Sequence, residues 1–255
     1  MRIVIKVGTS TLTHGTGNLN IKRTGDLSRV LSDLKNAGYE IILVSSGAIG
    51  MGVGKLGLRE KPKDIPTKQA AAAVGQCELM DTYDRLFRDY NHTVAQILLT
   101  KSDFSHEDRH QNFSNTIERL LELGVLPIIN ENDTIATEEI KVGDNDTLSA
   151  LVAVSVKADL LLILSDVGGL YTADPHKDGA AKLIREVHGI TDEIRALAGG
   201  KGSTLGTGGM ITKLHAAEIC NEAGCDMILM NGENPEKMYG VLAGKEETYT
   251  RFYAK

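Results

Sequence analysis

Leu160-Leu-Leu-Ile-Leu-Ser-Asp166 is an unbroken aliphatic run that ends in two small polar residues. No polar residue alternates with the aliphatic ones, so a strand built from this run is buried on both faces. Strands of that kind belong to parallel sheets covered by helices on either side. The pattern recurs in both directions along the chain, as Ile3–Val7, Ile41–Val44, Val94–Leu99 and Val125–Ile129 before it and Met227–Met230 after it. Between these runs the apolar spacing turns helical, over Ile21–Ala37, Lys68–Tyr90, Asp108–Leu123, Thr147–Val156 and Met210–Ala223. Three of these helices stop at Gly38, Gly124 and Gly224, as a glycine just past a helix end allows. Such alternation predicts an α/β fold with a mainly parallel central sheet. Ile135–Val142 and roughly Ala181–Val187 read as antiparallel additions. No repeat, low-complexity segment or linker interrupts the chain. The glycine-rich stretch Gly199–Gly209 reads as a functional loop between two lobes of a single domain spanning residues 1–255.

Composition removes several function classes. The chain has 255 residues and 42% hydrophobic content, enough for a sizeable core, and a net charge of −6. That charge argues against a basic nucleic-acid binder or a ligand of acidic membranes. Cys77, Cys220 and Cys225 have no metal-ligand spacing and read as free buried thiols in a reducing compartment. The apolar run after Met1 is broken at Lys6, so it is no signal peptide. No run approaches the length of a membrane span. A cytoplasmic location is expected.

Polar residues follow four of the strand runs: Gly8, Thr9 and Ser10; Ser45, Ser46 and Gly47; Asn130, Glu131, Asn132 and Asp133; Ser165 and Asp166. Ligands of open α/β sheets bind beyond the carboxyl ends of the strands, so the four sets together predict one crevice. Gly206-Thr-Gly-Gly-Met-Ile-Thr-Lys213 is a glycine-rich turn leading into a helix with a lysine in its first turn. Close-approaching backbone N–H groups, a helix N-terminus and an ammonium group suit a polyphosphate. The plainer reading is a flexible loop before an ordinary helix. Lys6, inside the first strand, needs an anion or carboxylate to be tolerated there, unless that strand is an edge and the charge is for solubility. Gly143-Asp-Asn-Asp146 opens a helix. Capping explains one of its polar residues but not three in a row. Phosphoryl transfer needs cations on the migrating group and a carboxylate to position them. Lys6 and Lys213 can supply the cations and Asp146 can hold both.

Two motif matches mislead. Gly52-Val-Gly54-Lys-Leu-Gly57 has dinucleotide-loop spacing, but it does not follow its strand directly and leads to no ribose-binding acid. His106-Glu-Asp-Arg-His110 matches a zinc-protease pattern, but Ser105–Asn112 is polar throughout, as at a solvated helix start.

Taken jointly, Ile5-Lys-Val-Gly-Thr-Ser10, Val44-Ser-Ser-Gly-Ala-Ile49, Ile129-Asn-Glu-Asn-Asp-Thr134, Val142-Gly-Asp-Asn-Asp-Thr-Leu-Ser-Ala150, Ser165–Pro175 and Gly206–Lys213 resemble the amino acid kinase family. The resemblance is to the branch that phosphorylates glutamate, and it covers nearly the whole chain in order. Single blocks are shared with acetylglutamate kinase, aspartokinase and uridylate kinase. Tyr171-Thr-Ala-Asp-Pro175 together with the Asn130–Asp133 and Gly143–Asp146 blocks is more specific.

The resemblance implies a three-layer αβα sandwich. It implies ATP-dependent phosphorylation of the glutamate side-chain carboxylate to glutamyl 5-phosphate, the first step of proline biosynthesis. It implies an acceptor-binding lobe over about 1–155 and a nucleotide-binding lobe over about 156–255. Lys6, Asp146 and Lys213 match the catalytic residues. Ser46, Asp133 and Asn145 match the glutamate-binding residues. Lys6, Ser165, Asp166, Thr207, Gly208, Gly209, Met210, Ile211, Thr212 and Lys213 match the ATP-binding residues, with Ser165 in place of the commoner threonine. Mg2+ is expected mainly on the ATP phosphates, with no dedicated protein site. A homo-oligomer, dimer or tetramer, is expected, without nucleic-acid or membrane partners. Many bacterial members carry an additional C-terminal RNA-binding-like domain, and a form without that domain is expected here. Members are commonly inhibited by proline. The segment Ile135–Val142 between the two acceptor blocks is expected to carry that inhibition, competitively with glutamate. Two other readings stay open, a kinase of this fold acting on another small acceptor and a non-catalytic nucleotide- or amino-acid-sensing module.

Overall fold

The computed structural model describes residues 1–14, 18–60, 62–136, 145–175, 177–198, 209–245 and 248–255. Its centre is an eight-stranded sheet of β1 (Arg2–Val7), β2 (Glu40–Val44), β3 (Val94–Leu99), β4 (Leu126–Glu131), β5 (Leu160–Ser165), β8 (Glu186–Val187), β9 (Asp226–Asn231) and β10 (Tyr249–Phe252). The order is β3-β4-β2-β1-β5-β9-β10-β8. The six strands from β3 to β9 in that order are mutually parallel, and β10 runs antiparallel to β9. These six are the aliphatic runs of the sequence, with ends within two residues of those expected. A separate hairpin, β6 (Leu170–Tyr171) with β7 (Leu183–Ile184), is antiparallel. The expected addition near Ala181–Val187 therefore divides. Leu183–Ile184 joins this hairpin, while Glu186–Val187 pairs parallel to β10 at the sheet edge. Residues 137–142 of the other expected addition lie outside the described residues.

Helices α1 (Thr9–Leu12), α2 (Ile21–Asn36), α3 (Ala48–Lys55), α4 (Ile65–Arg88), α5 (Glu107–Glu122), α6 (Asp146–Ser155), α7 (Asp192–Ala198), α8 (Met210–Glu222) and α9 (Lys237–Leu242) connect the strands. Side chains alternate across each strand, and this divides the core in two. Ile3, Ile5 and Val7 of β1 pack with residues of α2, α4 and α9, whereas Val4 packs with residues of α5, α6 and α8. Buried faces of this kind supply the main driving force for the fold. The result is the three-layer αβα sandwich. The same alternation puts Lys6 on the Val4 face, the face that carries α6 and α8.

The false dinucleotide motif forms part of α3. Its first glycine, Gly52, serves helix packing. A Cβ at Gly52 would lie 1.8 Å from the Ala71 carbonyl oxygen of α4, and one at Gly75 would lie 1.8 Å from the Ala48 carbonyl oxygen of α3. The two backbones touch there, which only glycine permits. Gly47, at φ +102°, makes the turn from β2 into α3. Cysteine placement differs in part from expectation. Cys220 and Cys225 are buried, but Cys77 is exposed on α4. No described helix is long and apolar enough to cross a membrane.

Candidate active site

Lys6 is the penultimate residue of β1, a central strand flanked by β2 and β5, so it is no edge charge. Its ammonium group lies 2.7 Å from Asp146 Oδ1. Lys213 Nζ lies 3.0 Å from Asp146 Oδ2. Thr212 Oγ1 lies 3.0 Å from the same Oδ2 and 2.8 Å from the Gly209 carbonyl, its one hydroxyl proton serving either acceptor. Asp146 is fully buried and each lysine is 6% exposed. Three separate elements thus meet in one charge cluster: the end of β1, the first residue of α6 and the first turn of α8. Burial opposes ionisation of Asp146, but Lys6 and then Lys213 outweigh it and hold its pKa down at about 2. The carboxylate therefore stays ionised at neutral pH. With two ammonium groups around one carboxylate, these three side chains carry a net positive charge, suited to an incoming anion.

Asn145 occupies the N-cap position of α6, yet its side chain makes no capping bond. Its Nδ2 donates instead to the Ser45 carbonyl at 2.6 Å and to Asn130 Oδ1 at 2.8 Å. The capping explanation for this residue fails. Asn130 Oδ1 also accepts from the Glu131 backbone N–H at 2.9 Å, and Asn130 Nδ2 donates to Gln76 Oε1 at 2.8 Å. Ser45 Oγ pairs with the Tyr83 hydroxyl at 2.9 Å and donates to the Ser46 carbonyl at 3.2 Å. Burial pushes the Tyr83 phenol well up, only partly offset by its bond to Ser45, so it stays neutral. This network links the turn after β2, the end of β4, the start of α6 and the inner face of α4. Asp133, half-buried, follows three residues after Asn130. Ser46 adjoins Ser45 in sequence, so it and Asp133 both stand close in the chain to the groups that hold Asn145.

On the other side of β1, Ser165 closes β5, and its hydroxyl donates to Asp166 Oδ1 at 2.9 Å. Asn231 Nδ2 donates to the Asp166 carbonyl at 3.1 Å, and the Gly232 N–H donates to the Ser165 carbonyl at 2.8 Å. Gly209 caps α8, Met210 is half-buried and Ile211 is 62% exposed. Thr207 and Gly208 lie outside the described residues, as do Gly143 and Asp144.

Gln76, Tyr83 and Asn231 are absent from the sequence-based expectations. Gln76 does carry a signal, as an amide beside Gly75 at the end of an alanine-rich helix segment. Tyr83 and Asn231 carry none without the fold. The apparent zinc motif breaks up. His106 precedes α5, with its Nδ1 2.8 Å from the Ser102 carbonyl, while His110 Nε2 lies 2.8 Å from Ser155 Oγ.

Comparison with known proteins agrees with this geometry. The model of the amino acid kinase family matches residues 1–231. A protein from Clostridium perfringens named glutamate 5-kinase is 54% identical over 258 residues, covering all of this chain and 96% of that protein. One of the same name from Listeria innocua is 52% identical, with 100% and 93% covered. A longer one from Moorella thermoacetica is 54% identical over 245 residues, or 96% of this chain but 65% of that protein. Among solved structures, UMP kinase from Ureaplasma parvum superposes with a TM-score of 0.68 at 15% identity, covering 99% of this chain and 98% of its own. Carbamate kinase from Giardia lamblia bound to AMP-PNP gives 0.67 at 20% identity, covering 100% and 98%. At such identities the two structures speak for the fold alone. The family match over most of the chain, and relatives sharing half or more of its residues, make the conclusion plain: the chain belongs to the amino acid kinase family.

Proposed function

We propose that the chain transfers the terminal phosphoryl group of ATP to the side-chain carboxylate of L-glutamate, giving L-glutamyl 5-phosphate for proline biosynthesis. The buried Lys6–Asp146–Lys213 cluster carries the chemistry, and full-length identity to proteins named glutamate 5-kinase carries the choice of acceptor. A carboxylate acceptor is already ionised near neutral pH and needs no general base. Catalysis is then positioning plus charge neutralisation. Lys6 and Lys213 neutralise the migrating phosphoryl group, and Asp146 holds both ammonium groups without taking a proton. Ser46, Asp133 and Asn145 bind glutamate, with Asp133 on the α-ammonium.

Ser165, Asp166 and the segment from Thr207 to Lys213 bind ATP. The acceptor lobe then spans about 1–155 and the nucleotide lobe about 156–255, with the central sheet running through both. Magnesium, carried on the ATP phosphates, would share the charge neutralisation. Both oxygens of Asp146 are engaged by lysines, in keeping with a metal held by phosphate rather than by this carboxylate. The enzyme works in the cytoplasm as a homo-oligomer. Proline inhibits it competitively with glutamate, through residues 135–142 between the two acceptor blocks. Purified chain with ATP and a panel of acceptors tests the reading. ADP release should require glutamate, and turnover only with another acceptor would refute it. Glutamate titrations at several proline concentrations test the inhibition, which glutamate should relieve.

A further inference from the structure

The amide network fixes its own polarity. The Glu131 N–H can only donate and the Ser45 carbonyl can only accept. Their bonds to Asn130 Oδ1 and from Asn145 Nδ2 set the orientation of both asparagine side chains. Asn130 must therefore present its Nδ2 to Gln76, and Gln76 must answer with Oε1. The Gln76 Nε2 donor is left over. It is buried, on a side chain only 8% exposed, and has no hydrogen-bond partner among the described residues. A buried donor without a partner is costly and calls for an explanation.

Its surroundings point to the acceptor subsite. Gly75 lies against the Ala48 carbonyl, which sets Gln76 beside the Ser45–Gly47 turn, and Asn130 leads to Asp133. The path Asp146–Asn145–Asn130–Gln76 runs away from the two lysines by two amide groups. A ligand group met there is the end of the acceptor remote from the phosphoryl group. For glutamate, that end carries the α-carboxylate, a strong acceptor.

We infer that Gln76 is a specificity-determining residue of the acceptor subsite, its Nε2 donating to the α-carboxylate of bound glutamate while its Oε1 fixes Asn130. The inference rests on the glutamate reading above. Asp133 and Gln76 then divide the two charged groups of the amino-acid end between an anion and a neutral donor. Holding Nε2 ready in the free protein spares the substrate the work of ordering it.

Gln76→Glu keeps an oxygen for Asn130 and replaces the donor. Gln76→Met removes both functions at similar volume. Steady-state kinetics with varied glutamate and varied ATP, and thermal unfolding without substrates, should be run on the wild-type chain and both variants. Both should raise the KM for glutamate by roughly tenfold to a hundredfold, with the KM for ATP unchanged and kcat within a few fold. In Gln76→Glu the rise should grow from pH 6 to pH 9, since burial raises the titration range of the introduced carboxyl and a protonated carboxyl can donate where an ionised one cannot. A wild-type KM in Gln76→Glu at every pH would overturn the inference even if Gln76→Met were impaired, because Gln76 would then act only on Asn130. Equal loss of kcat and of both KM values, together with lowered unfolding temperatures, would mark a purely structural role and also overturn it. A wild-type chain that turns over only with another acceptor would overturn the glutamate reading itself.

Discussion

The charge cluster joins the end of β1 to α6 and α8, the amide network reaches from the start of α6 to α4, and the two differ in kind. Lys6, Asp146 and Lys213 are ionised, buried and supplied by three elements distant in sequence. Gln76, Asn130, Asn145, Ser45 and Tyr83 are neutral, and each is oriented by its neighbour. The first region suits a step in which negative charge moves. The second suits recognition of a small polar molecule. Asn145 and Asp146 are adjacent in sequence, so the start of α6 couples the two regions. A charge cluster fails when one ion is removed. An amide network weakens by single hydrogen bonds.

The largest effect should come from Asp146. Asp146→Asn removes the carboxylate that both buried ammonium groups share and should cost about 3–5 kcal/mol of stability. Turnover should fall by roughly a thousandfold. Asp146 has its pKa lowered from 3.8 to about 2 on folding, so its contribution is complete above the ordinary value and is lost as pH falls through about 2. Urea unfolding of wild type and variant from pH 7 downward should show the stability gap narrowing between about pH 4 and 2. A gap independent of pH would mean that charge is not what the cluster contributes.

Next come the lysines. Lys6→Ala or Lys213→Ala should lower kcat by at least about a hundredfold while the fold survives, read by turnover assays and circular dichroism. Near-normal turnover in both would dissolve the distinction between the two regions.

Smaller effects belong to the network. Asp133→Ala and Asn145→Ala should raise the KM for glutamate by about tenfold and leave ATP binding largely intact. Unchanged glutamate saturation with lost ATP binding would reverse the two subsites. Smallest is Tyr83→Phe, which removes the partner of Ser45 Oγ at about 1 kcal/mol. Chemical denaturation should detect it, with both KM values within about twofold of wild type.

Much of this was legible in the chain itself. The aliphatic runs gave six strands and their parallel sense, because strands buried on both faces need no alternation. Lys6 stood out because an ammonium group inside an aliphatic strand needs an anion. The motif at Gly52 could be set aside because it does not follow its strand directly, but its packing role was not legible, since a glycine that lets two helices touch and one that admits a phosphate look alike in sequence. Gln76 went unnoticed, since an amide on a helix becomes informative only when its neighbours are known. Sequence left a cap open for one of the polar residues after Gly143, and only the fold shows that the Asn145 side chain bonds Ser45 and Asn130 instead.

Sequence by itself therefore determined the layered α/β architecture and the lone charges, Lys6, Asp146 and Lys213, that meet in the structure. Burial pattern and lone charges are local properties that survive in one dimension. Tertiary structure alone decided which oxygen of Asp146 meets which lysine, which way each amide points and which donor is left over. Those depend on partners 54 to 140 positions apart in the chain, brought within hydrogen-bond reach only when the sheet and both helical layers are in place.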